Sequence, residues 1–195
     1  MSWLSEVQLT HGDVSLEPLR EAHAAELVDV LHDGNLWELW FTLVPTPENL
    51  AAYLADAFAM QEAGTAIPFL IRHHGKAVGS TRFCNIEASN RRAEIGYTWL
   101  AKSVQRSAVN STCKLLLLEY LFETRDAIAV EFRTNFHNHA SRRAIERLGA
   151  KLDGVLRQHR IQPEGGFRDT VVYSILDSEW PAVRLSLEHA LRPRA

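Results

Sequence analysis

Apolar and polar positions alternate with a period of two along some stretches of this chain and recur every three or four residues along others. The richest stretch is 94–118. Ile95, Tyr97 and Trp99 alternate with smaller or polar residues, as in a half-buried strand. A polar turn, Gln105–Asn110, follows, and the Leu-rich run Leu115–Phe122 then predicts a helix ending near Arg125. Asn110 and Ser111 carry the short acceptor side chains that cap a helix start. A strand, a tight polar loop and an open helix N-terminus form an anion site suited to phosphate, and Arg106 adds a charge for bidentate pairing. The plainer reading is an ordinary, well-capped strand–loop–helix connection.

The same patterning predicts the other elements. A lead-in, 1–12, with a partial strand at Val7–Thr10, precedes a strand over Val14–Leu19 and a helix over Glu21–Leu31. The aromatic segment Asn35–Phe41, with Trp37, Trp40 and Phe41, belongs either to the core or to the wall of a ligand cleft. Thr46 as cap and Pro47 at the first helical position start a helix that runs to Gln61 and stops at Gly64. Strands follow at Ala66–Arg72, Lys76–Ile86 and Arg91–Leu100. The turns His74-Gly75 and Ala88-Ser89-Asn90 make them consecutive antiparallel neighbours. A strand at Ile128–Thr134 comes after the Leu-rich helix, then a helix over Asn138–Leu148 closed by Gly149. Strands at Lys151–Ile161 and Arg168–Leu176, joined through Pro163-Glu164-Gly165-Gly166, lead to a last helix from Trp180 to Leu191. This order predicts one mixed α/β (α+β) domain spanning 1–195, with a largely antiparallel sheet and flanking helices.

Composition narrows the function classes. The chain of 195 residues suits one sizeable domain, with 46% hydrophobic residues for a core. A formal charge of −3 gives no global attraction to nucleic acid or an anionic membrane, so neither is an expected partner. Basic runs at Arg142–Arg143, Arg157–Arg160 and Arg192–Arg194 read as solvated faces. Cys84 and Cys113 lie in apolar segments and are expected as buried free thiols. No zinc-type spacing exists, and His137 and His139, two apart, are poorly placed as a metal pair on one helix face, so no metal is expected. No signal-peptide core or membrane span is found, which points to the cytoplasm.

The motifs Glu94-Ile95-Gly96-Tyr97 with Trp99-Leu100, the loop from Gln105, Asn138-His139-Ala140-Ser141 and Arg147-Leu148-Gly149-Ala150 together resemble the GNAT acetyltransferases. The likeness runs over Val14–Trp180, and the tail from Arg168 through Glu179-Trp180 resembles the ribosomal-protein N-terminal-alanine acetyltransferase branch. It implies a twisted sheet whose fourth and fifth main strands splay, with acetyl-CoA as co-substrate in the gap. The family's phosphate loop, Gln/Arg-x-x-Gly-x-Gly/Ala, falls on Gln105, Arg106, Ser107, Ala108, Val109 and Asn110, with Ala and Asn where glycine is usual. A left-handed Ala108 would cost about 1 kcal/mol. The resemblance also implies that the backbone from Gln105 to Ser111 binds the pyrophosphate. Tyr97, Thr98 and Trp99 would pair with the pantetheine, Asn138 would bond its amide, and Ser141 would donate to the CoA sulfur or act as acid.

Glu94 is the candidate general base, because by alternation Glu94, Gly96 and Thr98 share one face. The competing role for Glu94 is an ion pair with Arg91 or Arg92. Tyr120 and Tyr173 read as core. The activity implied is transfer of acetyl to a primary amine of a protein N-terminus, a peptide or a small molecule. A CoA-binding regulatory module without turnover is the alternative, while an arginine-built nucleic-acid binder on Arg142, Arg143 and Arg147 fits the charge poorly. Trp37, Trp40 and the Gln162–Phe167 turn are placed to choose the acceptor, and a homodimer is compatible with the sequence.

Overall fold

The computed structural model describes residues 3–162 and 165–192. Eight strands form one sheet in the order β1-β2-β3-β4-β5-β6-β8-β7. They are β1 (Leu9–His11), β2 (Val14–Pro18), β3 (Ile67–His73), β4 (Lys76–Glu87), β5 (Arg92–Leu100), β6 (Ala129–Asn135), β7 (Lys151–Ile161) and β8 (Phe167–Leu176). Five helices accompany them: α1 (Ala24–His32), α2 (Leu50–Glu62), α3 (Val109–Glu119), α4 (His139–Arg147) and α5 (Trp180–Leu191). Every neighbouring pair is antiparallel except β5 and β6, which α3 connects as a parallel crossover.

Two differences from the sequence reading concern helix starts. Regular α2 begins at Leu50, because Thr46 first closes a turn in which its hydroxyl and carbonyl both accept the Asn49 N–H, at 3.2 and 3.1 Å. Glu21–His23 forms a separate 3₁₀ turn ahead of α1. The turn residues Pro163 and Glu164 and the tail residue Arg194 lie outside the described residues.

Burial splits into two layers, one on each sheet face. The larger unites Ile95, Val130, Phe132, Val171 and Tyr173 of the sheet with α3, with Ile145 of α4 and Leu148 just after it, and with α5. The smaller packs Leu27, Val30 and Leu31 of α1 and Leu50 and Leu54 of α2 against Leu70 and Trp99. Tyr120 and Tyr173 are core residues as expected, Tyr173 linking its hydroxyl to Glu146 and Arg142. Cys84 and Cys113 are buried and free. Among the described residues no helix is long and apolar enough to cross a membrane, and no three His, Cys, Asp or Glu side chains gather as a metal site would require.

Candidate active site

The parallel ladder between β5 and β6 covers three rungs only, Arg92 to Ala129, Ala93 to Val130 and Glu94 to Glu131. Beyond them both strands continue, β5 to Leu100 and β6 to Asn135, without pairing each other. The two therefore form a wedge in the middle of the sheet, open where α3 begins and where α4 begins.

Two bulges shape the β4–β5 hairpin beside this wedge. Tyr97 and Thr98 together oppose Thr81, with Tyr97 left-handed at φ 51°. On β4, Asn85 and Ile86 together oppose Ala93, with Asn85 at φ 47°. The first bulge corrects the expectation that Glu94, Gly96 and Thr98 share a face. An extra residue reverses the alternation, so Thr98 turns to the α3 side, where Lys114 Nζ donates to its hydroxyl at 2.8 Å. Tyr97 stays on the α2 side. There the buried Arg82 guanidinium lies between its ring and that of Tyr53, at 4.2 and 4.4 Å from the centroids. Trp99 is buried on that side and donates from Nε1 to Tyr53 Oη at 3.3 Å.

At the wedge mouth, α3 starts one residue before Asn110, so Asn110 and Ser111 are first-turn residues and not caps. The hydroxyl that serves the start belongs to Ser107, which accepts the Val109 N–H at 3.3 Å and donates to Val104 O at 2.6 Å. Ala108 is right-handed, φ −68°, so the expected left-handed strain falls elsewhere, on Arg106 at φ 62°. The Asn110 and Ser111 N–H groups lack intrahelical acceptors by position. Gln105 ties the loop to the end of β5 through Nε2 to Leu100 O at 3.0 Å.

At the closed end of the wedge, Glu94 is 7% exposed and pairs with neither Arg91 nor Arg92. The β4 bulge brings Asn85 Nδ2 to 2.6 Å of its Oε2, and Arg133 of β6 lies 3.5 Å away. Arg92 instead reaches Glu131 at 2.6 Å, two rungs along the ladder and on the same face. Burial raises the Glu94 pKa against the opposing pull of Arg133 and Asn85, with Glu131 adding to the rise. Its carboxylate lies over Gly96, where a Cβ would come within 2.8 Å of Oε1 and 3.0 Å of Cys84 Sγ.

The model for the acetyltransferase (GNAT) domain matches residues 13–151. The chain belongs to the GNAT acetyltransferase family. YdaF of Bacillus subtilis (strain 168), named provisionally as a ribosomal N-acetyltransferase, is 32% identical over 169 residues, 85% of this chain and 90% of its own. The ribosomal-protein-serine acetyltransferase of Escherichia coli (strain K12) is 24% identical over 90% of this chain and all of its own. A GCN5-related N-acetyltransferase from Brucella melitensis superposes with a TM-score of 0.87 at 27% identity, covering 97% of this chain and 87% of that one.

In this GNAT chain Asn138 is the cap of α4, its Oδ1 accepting the Ser141 N–H at 3.0 Å. Ser141 is half-buried in the first turn. Trp40 is 58% exposed and packs on Phe41 and on His137, at 5.5 and 5.3 Å between centroids, while Trp37 joins the smaller core. The aromatic segment thus divides between Trp37, packed on the core, and Trp40, on the surface. Sequence reasoning missed Arg82, Asn85, Arg133 and Lys114. Only Lys114 carried a signal, being a lysine directly before four leucines in a helix buried nearly all round.

Proposed function

We propose that this GNAT acetyltransferase moves the acetyl group of acetyl-CoA to the α-amino group of a protein or peptide, with acetyl-CoA entering the β5–β6 wedge. The observation that carries this reading is the ladder that stops after Glu94 and Glu131, with the α3 N-terminus at its mouth. The first-turn N–H groups of α3, those of the Gln105–Ser111 loop and the exposed Arg106 hold the pyrophosphate. The β5 edge from Tyr97 to Trp99 and the Asn138 side chain take the pantetheine, and Ser141 donates to its sulfur.

Glu94 takes the proton released by the amine, directly or through water. An α-amino group, with a reference pKa near 7.7–8.0, asks less of that base than a lysine near 10.4. The names of the Bacillus and Escherichia relatives agree with a protein N-terminus as acceptor, and the exposed Trp40 gives such a chain an aromatic wall. The reading requires no metal and places the enzyme in the cytoplasm, where Cys84 and Cys113 stay reduced.

The alternative, a CoA-binding module without turnover, loses support from the right-handed, exposed Ala108, which strains nothing. Thiol release from acetyl-CoA, measured with N-terminal peptides, lysine analogues and small amines in parallel, tests both readings. Release with free-N-terminal peptides but not with their blocked forms is expected. Release with none of the acceptors would favour the module.

A further inference from the structure

One buried charge has no role in the chemistry above. Lys114, in the second turn of α3, is 6% exposed, and burial pulls its ammonium down to about 8. Its Nζ donates to Thr98 Oγ1 at 2.8 Å and stands 6.0 Å from the Phe132 ring centroid. Thr98 is on β5 and Phe132 on β6, both beyond the last paired rung. The ammonium therefore lies on the α3 side of the sheet, against the stretch where the two strands no longer pair.

Among the described residues no carboxylate balances it. Thr98 Oγ1 continues to Thr81 Oγ1 at 2.7 Å, a neutral hydroxyl pair. The titratable groups acting on the ammonium are the thiols of Cys113 on its own helix and Cys84 on β4. Burial pushes Cys113 up to about 12 and Cys84 higher, so both are neutral at working pH. A buried cation with a single hydroxyl acceptor is an expensive arrangement for stability alone. It becomes useful where negative charge forms next to it.

We infer that Lys114 is a catalytic residue whose ammonium bonds the CoA sulfur and protonates it as the acetyl group departs. The inference rests on acetyl-CoA occupying the wedge. In the step, the amine nitrogen bonds the acetyl carbon and the C–S bond breaks, its electron pair going to sulfur. A proton passes from Nζ to that sulfur, giving the CoA thiol. The proton shed by the amine goes to Glu94, and Lys114 regains its own from solvent. An ammonium near 8 matches a thiol near 8.5 in acidity, whereas a serine hydroxyl is a far weaker acid.

The test is Lys114→Met, with Lys114→Gln as a second variant should the first fold poorly. Turnover per folded molecule is expected to fall at least a hundredfold, with the acetyl-CoA KM within about threefold of wild type. The melting temperature is expected to hold or rise, since an unbalanced buried charge is removed. Wild-type turnover should decline above about pH 8 as the ammonium loses its proton, and that decline should vanish in the variant. Calorimetry supplies a readout free of turnover: wild type should prefer CoA over desulfo-CoA, and the variant should bind both alike. Retained turnover, a persisting alkaline decline or an unchanged preference would each overturn the role of Lys114. If neither protein binds either ligand, the wedge reading fails first and the inference falls with it.

Discussion

Asn138 and Ser141 separate cleanly at the residue scale. The cap is the Asn138 carboxamide, so Asn138→Ala should cost about 1 kcal/mol, read as a fall of a few degrees in melting temperature. Ser141→Ala should leave the melting temperature within a degree and slow turnover, and the opposite pairing of effects would make Ser141 structural. Glu94 yields a pH argument. Its folded pKa is raised, so the carboxyl is protonated, and useless as a base, at a pH where an ordinary glutamate is still charged. Wild-type turnover should fall on the acid side through that raised pKa, and Glu94→Gln should be slow at every pH with its acid limb gone. The same sign governs stability. The neutral form suits the burial, so the cost of ionisation is absent below the usual carboxylate pKa and sets in as pH rises through the raised one. Glu94→Gln should therefore melt no lower than wild type at neutral pH, to within about 1 kcal/mol. If wild type loses no turnover on acidification, the base lies elsewhere.

For the elements, the hairpin register and the helix start decide the site. Gly96 accommodates the Glu94 carboxylate, and a Cβ there meets Oε1 at 2.8 Å. Gly96→Ala should cost about 1–3 kcal/mol by overpacking and reduce turnover more than CoA affinity, both checked on one preparation by thermal melts and calorimetry. Arg106→Glu at the α3 mouth should weaken CoA binding while the fold persists, and unchanged affinity would remove the loop from the phosphate site. Element order was legible because alternation, capping residues and the turn glycines are local signals: His74-Gly75 turns the β3–β4 hairpin and Gly149 ends α4 where the sequence placed them. The bulges at Tyr97 and Asn85 were not legible. A left-handed tyrosine is fixed by the Arg82 packing between Tyr53 and Tyr97, and that pairing spans three separate elements. One unseen bulge was enough to put Thr98 on the wrong face. The second bulge, on β4, hid Asn85 as a partner of Glu94, for which the sequence offered the adjacent arginines as the alternative to a base role.

For the whole molecule, β7 forms one border of the sheet, and Ile161 is 76% and Phe167 63% exposed beside it. An open strand edge with apolar side chains favours self-association. Light scattering should give twice the chain mass of 22.0 kDa, and Ile161→Lys with Phe167→Lys should return a single chain of unchanged secondary structure. A wild-type monomer at assay concentration would remove this edge as an interface. The family was legible at this scale because its motifs lie on both sides of the wedge, whereas the charge balance inside the wedge required coordinates. The two unequal layers carry a further consequence, for local opening. The Leu27–Leu31 and Leu50–Leu54 layer buries far less than the layer under α3. Amides of α1 and α2 should thus exchange with solvent deuterium at a lower opening free energy than those of α3. The side of the sheet that carries α1, α2 and Trp37 would breathe while the α3 side kept its shape, giving a rigid half beside a more yielding one.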